Sequence, residues 1–592
     1  MQATRHTFAG ATIAVAALVC HWAGTMSAAR AADEEQPRVG RKIENFKLDD
    51  FRGRSRSLAD WADAKLVVVA FIGTECPLAN LYMPRLVELA GRFEGQGVAL
   101  LGINSNQQDS ITEVGAHAQR FNVPFPVLKD PGNTVADKFG AVRTPEIFVL
   151  DRDRVVRYWG RIDDQFGIGF QKPEVGRHDL QLAVEELLAG KSVSESTTKA
   201  PGCLIGRVHR PEPSGEVTYS KHIARMLKDR CVECHHEGQI APFALTNYDE
   251  VVGWAEMIRE VVHERRMPPW MADPAHNEFK NNPSLSAADI ALLDKWIENG
   301  CPEGNPADLP EPGEYAKGWG IPQPDQVFYM DAKPYTVPAE GVVSYQIYEV
   351  DPGFTEDKWI KFAEVRAGNP AVVHHVIVFI QQPGEPRFGA PQMAYAPGMT
   401  PRRFDPGMAI RAAAGSKLIF QCHYTPNGTQ QDDRSYVGFV YADPKEVSHE
   451  VMGGSCGEMT FVIPPNTANH EVVARKLFLR DTTLLGMNPH MHLRGKSFKY
   501  ELELPDGKRE VLLDVPHYDF NWQLWYMLKE PRQIPKGSRM ICTAQFDNSA
   551  DNLANPDPSK EVIWGEQTWE EMMFGFYSTI KPLNKQSGTA GQ

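Results

Sequence analysis

The hydrophobic pattern of this chain changes twice along its 592 residues, and no single core can accommodate all of it. Residues 37–190 alternate apolar runs, such as KLVVVAFIG at 65–73, with segments of helical period, which predicts an α/β domain. Residues 217–305 have mostly the helical period and predict a small all-α domain. From about residue 328 short strands and turns follow one another, which predicts an all-β region and makes the fold class multidomain.

The first 31 residues have the composition of a secretory signal peptide. A basic start precedes an apolar run from Phe8 to about Ala23, and Ala29-Arg30-Ala31 matches the A-x-A cleavage pattern. We therefore expect export, to the periplasm or the medium, with cleavage near Ala31. No later stretch has 18 apolar residues, so we expect no stable membrane span in the mature chain. The net charge of −14 argues against nucleic acid as a partner.

A C-x-x-C-H motif in the helical segment is the pattern that attaches haem in c-type cytochromes. It comprises Cys231, Cys234 and His235, and it predicts two thioether bonds and an axial histidine. A structural disulfide is the alternative. For the sixth ligand we favour Met267, in a proline-rich stretch downstream, over the rivals His263 and Met271.

A single cysteine follows the apolar strand of the first domain. Cys76 precedes a helical segment, and a thiolate at a helix N-terminus is stabilised by the dipole and by free N–H groups. Together with Thr144-Pro145 before a later strand, this segment resembles the thioredoxin superfamily, particularly its redoxin or peroxiredoxin-like members. The resemblance implies that Pro145 is a cis-proline facing the cysteine.

The segment departs from disulfide oxidoreductases at Ala79, where the second cysteine of C-x-x-C would stand. Cys203, just past the domain, is the most plausible partner of Cys76 in sequence. The pair can serve redox chemistry, as in a thiol peroxidase, or form a structural disulfide, and the domain can equally be a docking module. The sequence leaves open how six cysteines pair: Cys76, Cys203, Cys301, Cys422, Cys456 and Cys542.

Histidines cluster three times in the β region. AVVHHVIVFI contains His374 and His375, LIFQCHYTPNG contains His423, and GMNPHMHLRGK contains His490 and His492. Alternate residues of a strand point to the same side, so the H-x-H pair can face one metal ion. Imidazole suits copper or zinc, and a thioether such as that of Met572 favours Cu(I) over zinc.

This ordered pattern resembles the copper type II, ascorbate-dependent monooxygenases, the family of peptidylglycine and dopamine hydroxylases. The resemblance implies two β-sandwich, jelly-roll-like subdomains that hold one copper each. His374, His375 and His423 would bind the electron-transfer copper. His490, His492 and Met572 would bind the copper that activates O₂.

The family's peptide-amidating members hold their substrate with side chains that this chain lacks. It has Asn488, Phe574 and Phe576 at the corresponding positions, so the peptide substrate is not implied. The two phenylalanines favour a small apolar or aromatic substrate.

These observations divide the chain into seven segments. They are a signal peptide (1–31), a thioredoxin-like redoxin domain (37–190), a linker (191–216), a cytochrome c domain (217–305), a second linker (306–334), and the N-terminal (335–465) and C-terminal (466–585) copper monooxygenase subdomains.

The predicted function is a copper monooxygenase that hydroxylates a C–H bond with O₂. Its catalytic residues would be His490, His492 and Met572, with Cys76 in the redoxin domain, and its cofactors two copper ions and one covalent haem c. An ascorbate-like reductant or a redox protein would reduce the haem, and the haem would deliver the two electrons that each turnover needs. The alternatives are a non-catalytic electron carrier or copper-handling protein, and a thiol peroxidase acting through the redoxin domain.

Overall fold

The computed structural model describes residues 38–208, 215–237, 239, 241–311, 318–339, 341–389 and 393–583. The predicted signal peptide lies outside these residues. None of the helices in the described ranges is long and apolar enough to cross a membrane. Along these ranges the chain forms an N-terminal α/β domain (38–190), a helical region (215–311) and a β region (318–583).

The N-terminal α/β domain is built on one mixed sheet. Its strands are β1 (Lys47–Asp50), β2 (Ser55–Ser57), β3 (Leu66–Phe71), β4 (Val98–Asn104), β5 (Val127–Lys129), β6 (Arg143–Thr144), β7 (Glu146–Leu150), β8 (Val156–Gly160), β9 (Phe166–Gly167) and β10 (Phe170–Gln171). Its helices are α1 (Pro77–Arg92), α2 (Ile111–Arg120), α3 (Thr134–Phe139) and α4 (Asp179–Leu188). Seven strands pair in the order β2-β1-β5-β4-β3-β7-β8. The predicted α/β domain and its hairpin at 146–162 are confirmed, since β7 and β8 pair antiparallel.

Strand β3 shows why this sheet has a core on each face. All six of its residues are buried. Val68 and Ala70 belong to one hydrophobic core and Val67 and Val69 to the other, which is the two-residue period of a strand. Because both faces are covered, the chemistry-bearing residues of this sheet are found where its strands end, and Cys76 lies in the loop after β3.

The helical region follows a short strand, β11 (Cys203–Leu204), which pairs with β6 of the α/β domain. It contains a π-helical turn (Tyr219–Ile223), α5 (Ala224–Arg230), α6 (Tyr248–His263), α7 (Ala287–Glu298) and a 3-10 turn (Pro306–Asp308). Capping boxes start α6 at Asn247 and α7 at Ser286, as their sequences favour. The regular structure described between 215 and 311 is helical, and the assignment to the cytochromes c stays a prediction.

The first half of the β region contains eleven strands in the described residues. They are β12 (Gln326–Tyr329), β13 (Tyr335–Val337), β14 (Gln346–Val350), β15 (Lys358–Arg366), β16 (Val373–Gln381), β17 (Met393–Tyr395), β18 (Arg402–Arg403), β19 (Met408–Ala412), β20 (Lys417–Tyr424), β21 (Gln431–Asp433) and β22 (Tyr436–Tyr441). One four-stranded sheet, β14-β20-β16-β17, carries the first histidine cluster.

The second half continues the pattern to the C-terminal end of the described chain. Its strands are β23 (His449–Glu458), β24 (Val462–Ile463), β25 (His470–Leu477), β26 (Thr482–His490), β27 (Gly495–Glu503), β28 (Arg509–Val515), β29 (Tyr526–Ile534), β30 (Arg539–Phe546), β31 (Val562–Ile563) and β32 (Met573–Pro582). A second four-stranded sheet has the order β25-β30-β27-β28.

Each half of the β region has its own hydrophobic core, and one nine-stranded sheet runs through both halves. Its order is β12-β22-β15-β19-β23-β32-β26-β29, with β18 beside β15. Strands β19 and β23 pair in parallel at the junction. Strand β12 lies within residues expected to be a linker, and β23 pairs with β32 although the sequence suggests a boundary near 465. Such long-range pairing has no local sequence signal.

Candidate metal centre and thiol pair

The first histidine cluster lies on two neighbouring strands, β16 and β20. His375 stands directly opposite His423, and the register shifts between Val373 and His375. That irregularity explains how consecutive residues, which normally point to opposite faces, contribute to one site. One nitrogen from each of His374, His375 and His423 lies within 4.8 Å of the others.

The imidazoles of this cluster are held in the neutral form. Burial, and then the neighbouring imidazoles, lower the pKa of His375 and of His423 well below the ordinary value, and burial lowers that of His374 to about 4. His374 Nδ1 lies 3.0 Å from His375 Nδ1, and the buried His423 Nδ1 has no hydrogen-bond partner in the described structure. Neutral imidazoles are ligands that suit copper or zinc, so the cluster fits either ion.

The second histidine pair lies where β26 ends. The rings of His490 and His492 are 5.3 Å apart and nearly perpendicular. His490 Nδ1 donates to Gln523 Oε1 over 2.7 Å, and His492 Nδ1 donates to the Glu570 carbonyl over 3.3 Å. Both Nε2 atoms are thereby left as the metal-facing nitrogens, and the buried His492 Nε2 has no partner among the described residues.

The residue before Met572 is tied to this pair by its buried carboxylate. Glu571 is fully buried and accepts from the backbone N–H of His492 (2.8 Å) and of Arg494 (2.6 Å). Burial raises its pKa to about 7 against these hydrogen bonds. The ladder pairs Phe574 with His490, and the half-buried Met572 lies two residues before Phe574 in the chain. Two neutral imidazoles with a thioether nearby in the chain are a donor set that would suit copper.

The two histidine sets lie close together around one aromatic ring. Phe520 stacks on His374 with centroids 5.0 Å apart and meets His492 edge-on at 6.1 Å. His375 and His490 also line a common cavity, together with Asn488, Gln523, Trp525 and Phe576. The structure thus assembles in one place five histidines that are spread over 119 residues of sequence.

Sequence reasoning missed several residues of this site. Phe520 and Gln523 lie in a loop between strands and match no motif. Tyr345 contacts the rings of His375 (5.6 Å) and His423 (4.9 Å), and its buried hydroxyl has no partner among the described residues. Asn488, in contrast, has a positioning role, because its Nδ2 donates to the Gln523 and Leu524 carbonyls.

The C-x-x-C-H motif lies at the end of α5, and a hydrogen bond orients the ring of its histidine. His235 Nδ1 donates to the Phe243 carbonyl over 3.1 Å, and burial lowers the pKa of this histidine. The opposite nitrogen, Nε2, is therefore the one suited to bind iron. Cys234 and His236 line a cavity of about 380 Å³ whose other wall is formed by the β region, including Tyr395 and Met399.

The three candidates for the sixth haem ligand differ in their surroundings. His263 is half-exposed and bonded to Asp294 at 2.8 Å. Met271 packs against the core of the C-terminal β strands. Met267 is half-buried after α6, and its N–H donates to the Val261 carbonyl. Of the three, Met267 alone is neither paired with a carboxylate nor packed into that core, so it stays the candidate.

The Cys76 thiol of the α/β domain and the Cys203 thiol beyond it lie together at the Thr144–Pro145 peptide, which is cis. Cys76 precedes α1, and its Sγ lies 3.0 Å from the Thr144 carbonyl. Cys203, on β11, pairs with Thr144 in the strand ladder. Its thiol is free and hydrogen-bonded to the free thiol of Cys76. Burial opposes ionisation of Cys76, but hydrogen bonds from Cys203 and the Ala79 N–H outweigh it and lower the Cys76 pKa to about 7.

Comparison with known proteins finds relatives for this α/β domain. Residues 39–159 match the AhpC/TSA family. The thiol-disulfide oxidoreductase ResA of Halalkalibacterium halodurans is 31% identical over 120 residues, which are 20% of this chain and 66% of that protein. ResA of Geobacillus thermodenitrificans is 31% identical over 119 residues, which are 20% of this chain and 67% of that protein.

A solved structure of a hypothetical protein from Sinorhizobium meliloti is 35% identical. It covers 28% of this chain and 94% of its own, with a TM-score of 0.27. The chain spans 66% of the length of the Halalkalibacterium ResA, so about a third of that relative is not covered.

The matched residues contain β1 to β7 and α1 to α3, with Cys76 at the start of α1. Ala79 stands where C-x-x-C would have its second thiol, and the thiol that contacts Cys76 belongs to Cys203, outside the match. Residues 39–159 of this chain are thus a thioredoxin-like domain that belongs to the AhpC/TSA family.

Proposed function

We propose that this chain is an exported copper-dependent monooxygenase, which hydroxylates a C–H bond of a small apolar or aromatic molecule with O₂. The observation that carries the proposal is the convergence of the neutral imidazoles of His374, His375 and His423 within 4.8 Å. Three converging imidazoles, of which His375 and His423 are buried, are costly to keep from water unless a cation completes them. The second set, His490, His492 and Met572, supports a second and different copper site.

The two ligand sets suit different tasks. His374, His375 and His423 would hold a copper that only exchanges electrons, since no position need stay open. His490, His492 and Met572 would hold the other copper and leave a position open. Copper, when bound there, supplies one-electron redox chemistry and the activation of O₂.

The protein's own contribution is to orient these ligands and exclude water. Gln523 and the Glu570 carbonyl fix which nitrogen of His490 and His492 faces the metal. The Glu571 carboxylate ties the backbone of His492 to the start of β32. His490 is 6% exposed and His492 is not exposed, so bulk water has little access to the pair.

The substrate would bind at the cavity between the histidine sets, which at about 20 Å³ must widen to admit it. Trp525 and Phe576 form part of its wall, and Asn488 and Gln523 supply its polar groups. Phe576 also stacks on Phe574, with centroids 5.4 Å apart. Aromatic walls with few polar groups favour an apolar or aromatic substrate over a charged one.

Electrons would reach the copper region from a haem c. Cys231 and Cys234 would attach the haem, and His235 and Met267 would be its axial ligands. The cavity that Cys234 shares with Tyr395 and Met399 supports a route between the two regions, because its walls come from both the helical region and the β region, while His235 and Met267 lie outside its lining. An external reductant, either ascorbate-like or a redox protein, would reduce the haem.

The test is to express the chain with its leader in an oxidising compartment and to quantify copper and haem. Two coppers and one covalent haem per chain are expected, followed by copper-dependent O₂ consumption in a screen of small aromatic and aliphatic substrates. Protein that holds only zinc or a single metal contradicts the proposal. Protein that holds both coppers and haem but hydroxylates nothing would instead be an electron carrier or copper-handling protein.

A second candidate function is thiol-disulfide chemistry by Cys76 and Cys203. The contact between the two thiols and the similarity of residues 39–159 to thiol-disulfide oxidoreductases favour it. Cys76 would be the nucleophile and Cys203 the resolving thiol. Consumption of peroxide or of a model disulfide that Cys76→Ser abolishes and Cys301→Ser leaves intact would support this function.

A further inference from the structure

The Cys76–Cys203 pair is closed off from solvent by the helical region. Cys76 is not exposed and Cys203 is 9% exposed, and both share one hydrophobic core with α6 residues such as Trp254 and Ile258. Thiol exchange with another protein requires an accessible Sγ atom. In this arrangement another protein cannot reach the pair, so its redox partner is either a small molecule or a group inside the chain.

The seam between the two regions is held by specific contacts. Arg143, next to the thiols, pairs with Glu260 of α6 at 2.8 Å, and the Leu204 N–H donates to Met257 Sδ. A Cβ atom on Gly206 would lie 2.6 Å from the Gly253 carbonyl, so the two backbones touch there. The backbone contact and the partly buried ion pair make this a packed interface between the α/β domain and the helical region, and it holds α6 over the two thiols.

A continuous line of side chains leads from the thiols to the C-x-x-C-H histidine. Glu75, adjacent to Cys76, is hydrogen-bonded to the Trp254 side chain. Trp254 stacks on Phe243 with centroids 4.1 Å apart and planes 13° apart. The Phe243 ring lies 4.9 Å from the His235 ring, and its carbonyl accepts from His235 Nδ1.

We propose that the Cys76–Cys203 dithiol is an electron donor inside the chain, which delivers its two electrons through Trp254 and Phe243 to the haem at His235. The inference rests on the haem attachment of the proposed function. It assigns a role to the covered thiol pair, and it makes Trp254 and Phe243 positioning residues for electron transfer.

The step balances as the oxidation of a dithiol. Two Sγ–H bonds break, one Sγ–Sγ bond forms, and two protons and two electrons are released. The acceptor is ferric haem c, which takes one electron at a time and is reoxidised by the copper ions or by an added one-electron oxidant. The contact between the two sulfurs matters, because they can share the odd electron after the first transfer. Two electrons are also what one hydroxylation requires.

The experiment counts electrons in the full-length, haem-loaded chain with copper removed by a chelator. The protein is reduced with dithionite and dithiothreitol, desalted under argon, and titrated with ferricyanide while the ferrous haem band is followed. Wild-type protein should consume about three equivalents per haem before the band is lost, two of them from the dithiol couple. Peptide mapping without reduction should then find Cys76 joined to Cys203.

Variants separate the role of the dithiol from that of the haem. Cys203→Ser should consume one equivalent, and Cys301→Ser, which removes another buried thiol of the same core, should still consume three. Trp254→Leu should slow the second and third equivalents while circular dichroism stays unchanged. A doubly substituted chain, Cys231→Ala with Cys234→Ala, should keep its dithiol reduced over the same time.

The outcomes distinguish this inference from the proposed function. Consumption of one equivalent by wild-type protein that carries haem, with both thiols still free, overturns the inference and leaves the haem assignment standing. Disulfide formation at an equal rate in the haem-free variant overturns it as well, because ferricyanide then acts directly. A chain without covalent haem overturns both.

Discussion

The β region and the N-terminal α/β domain build their reactive groups in opposite ways. In the β region, five histidines come from three stretches of chain, and two of them, His375 and His490, line a common cavity. In the α/β domain, one reactive thiol comes from the domain and the other from the chain beyond it, and a third region covers both. The first arrangement keeps a small cavity of about 20 Å³ beside its imidazoles, whereas the second pair is packed into a hydrophobic core.

This difference shows that the access of solvent and ligands, as well as residue identity, decides what a redox centre can do. A monooxygenase site must admit O₂ and substrate while excluding bulk water. A dithiol that exchanges with other proteins must be exposed, and Cys76 is not. The covered thiol pair is therefore suited to electron transfer within the chain, or to a structural role.

The largest effect is expected from Met572→His, which tests whether the second histidine set is the hydroxylating site. A third imidazole should keep total copper near two per chain but remove the weak thioether, and hydroxylation should fall below detection. Copper analysis and product assays measure both quantities. Full activity in this variant would mean that Met572 is not a ligand.

His423→Ala should remove the electron-transfer copper and leave the other. The variant loses one of three converging imidazoles, so copper should fall from two to one per chain, and steady-state hydroxylation should be lost. Electron paramagnetic resonance should show a single remaining copper signal. His449→Ala, at a strand histidine outside the cluster, is the matched control and should retain both coppers.

Met267→Ala tests the helical region. Covalent haem should remain, because Cys231 and Cys234 still attach it, but the far-red sulfur-to-iron charge-transfer band of the ferric protein should disappear. Pyridine haemochrome spectra give the haem content. Persistence of the band would transfer the sixth-ligand assignment from Met267 to another residue.

Gln523→Leu should have a smaller effect, on affinity only. It removes the acceptor of the His490 Nδ1 hydrogen bond, and losing such a supporting contact typically weakens metal binding by about 10- to 100-fold. A competition titration with a Cu(I) chelator measures this. Gln533→Leu, on the exposed end of β29, is the control, and equal affinity in both variants would contradict the role of Gln523.

The smallest effect is expected in the thiol pair, as a change of pKa. The Cys203 hydrogen bond favours the Cys76 thiolate, so Cys203→Ala should raise the Cys76 pKa from about 7 toward the ordinary 9.0. Thiolate absorbance at 240 nm should therefore appear at higher pH in the variant. An identical titration curve in Cys203→Ala would show that the two thiols do not interact.

The pattern of the sequence was enough to predict the local elements. The strand 65–73, the helix after Cys76 and the hairpin at 146–162 follow from periodicity alone, because each depends on neighbours in sequence. The lowered pKa of Cys76 was also predicted, although its strongest stabilising contact comes from Cys203 and not from the helix dipole alone. The copper and haem assignments remain predictions.

Long-range pairing could not be predicted in the same way. The sequence predicted two β subdomains but not the parallel pairing of β19 with β23, through which one nine-stranded sheet runs across both. Phe520, Gln523 and Tyr345 were missed because an aromatic or amide residue in a loop has no motif. Their roles appear only when β16, β20 and β26 bring the histidines beside them.

The amino-acid sequence is enough to identify the reactive groups that this protein carries. Ligand type and motif spacing are properties of neighbouring residues, so the imidazoles, the thioether and the C-x-x-C-H motif were visible in it. Which of these groups contact each other, and which are accessible to solvent, follows only from the folded structure. The convergence of His375 and His490 on one cavity and the covering of Cys76 by α6 depend on contacts between residues more than a hundred positions apart, and such contacts are set by sheet order and the docking of regions.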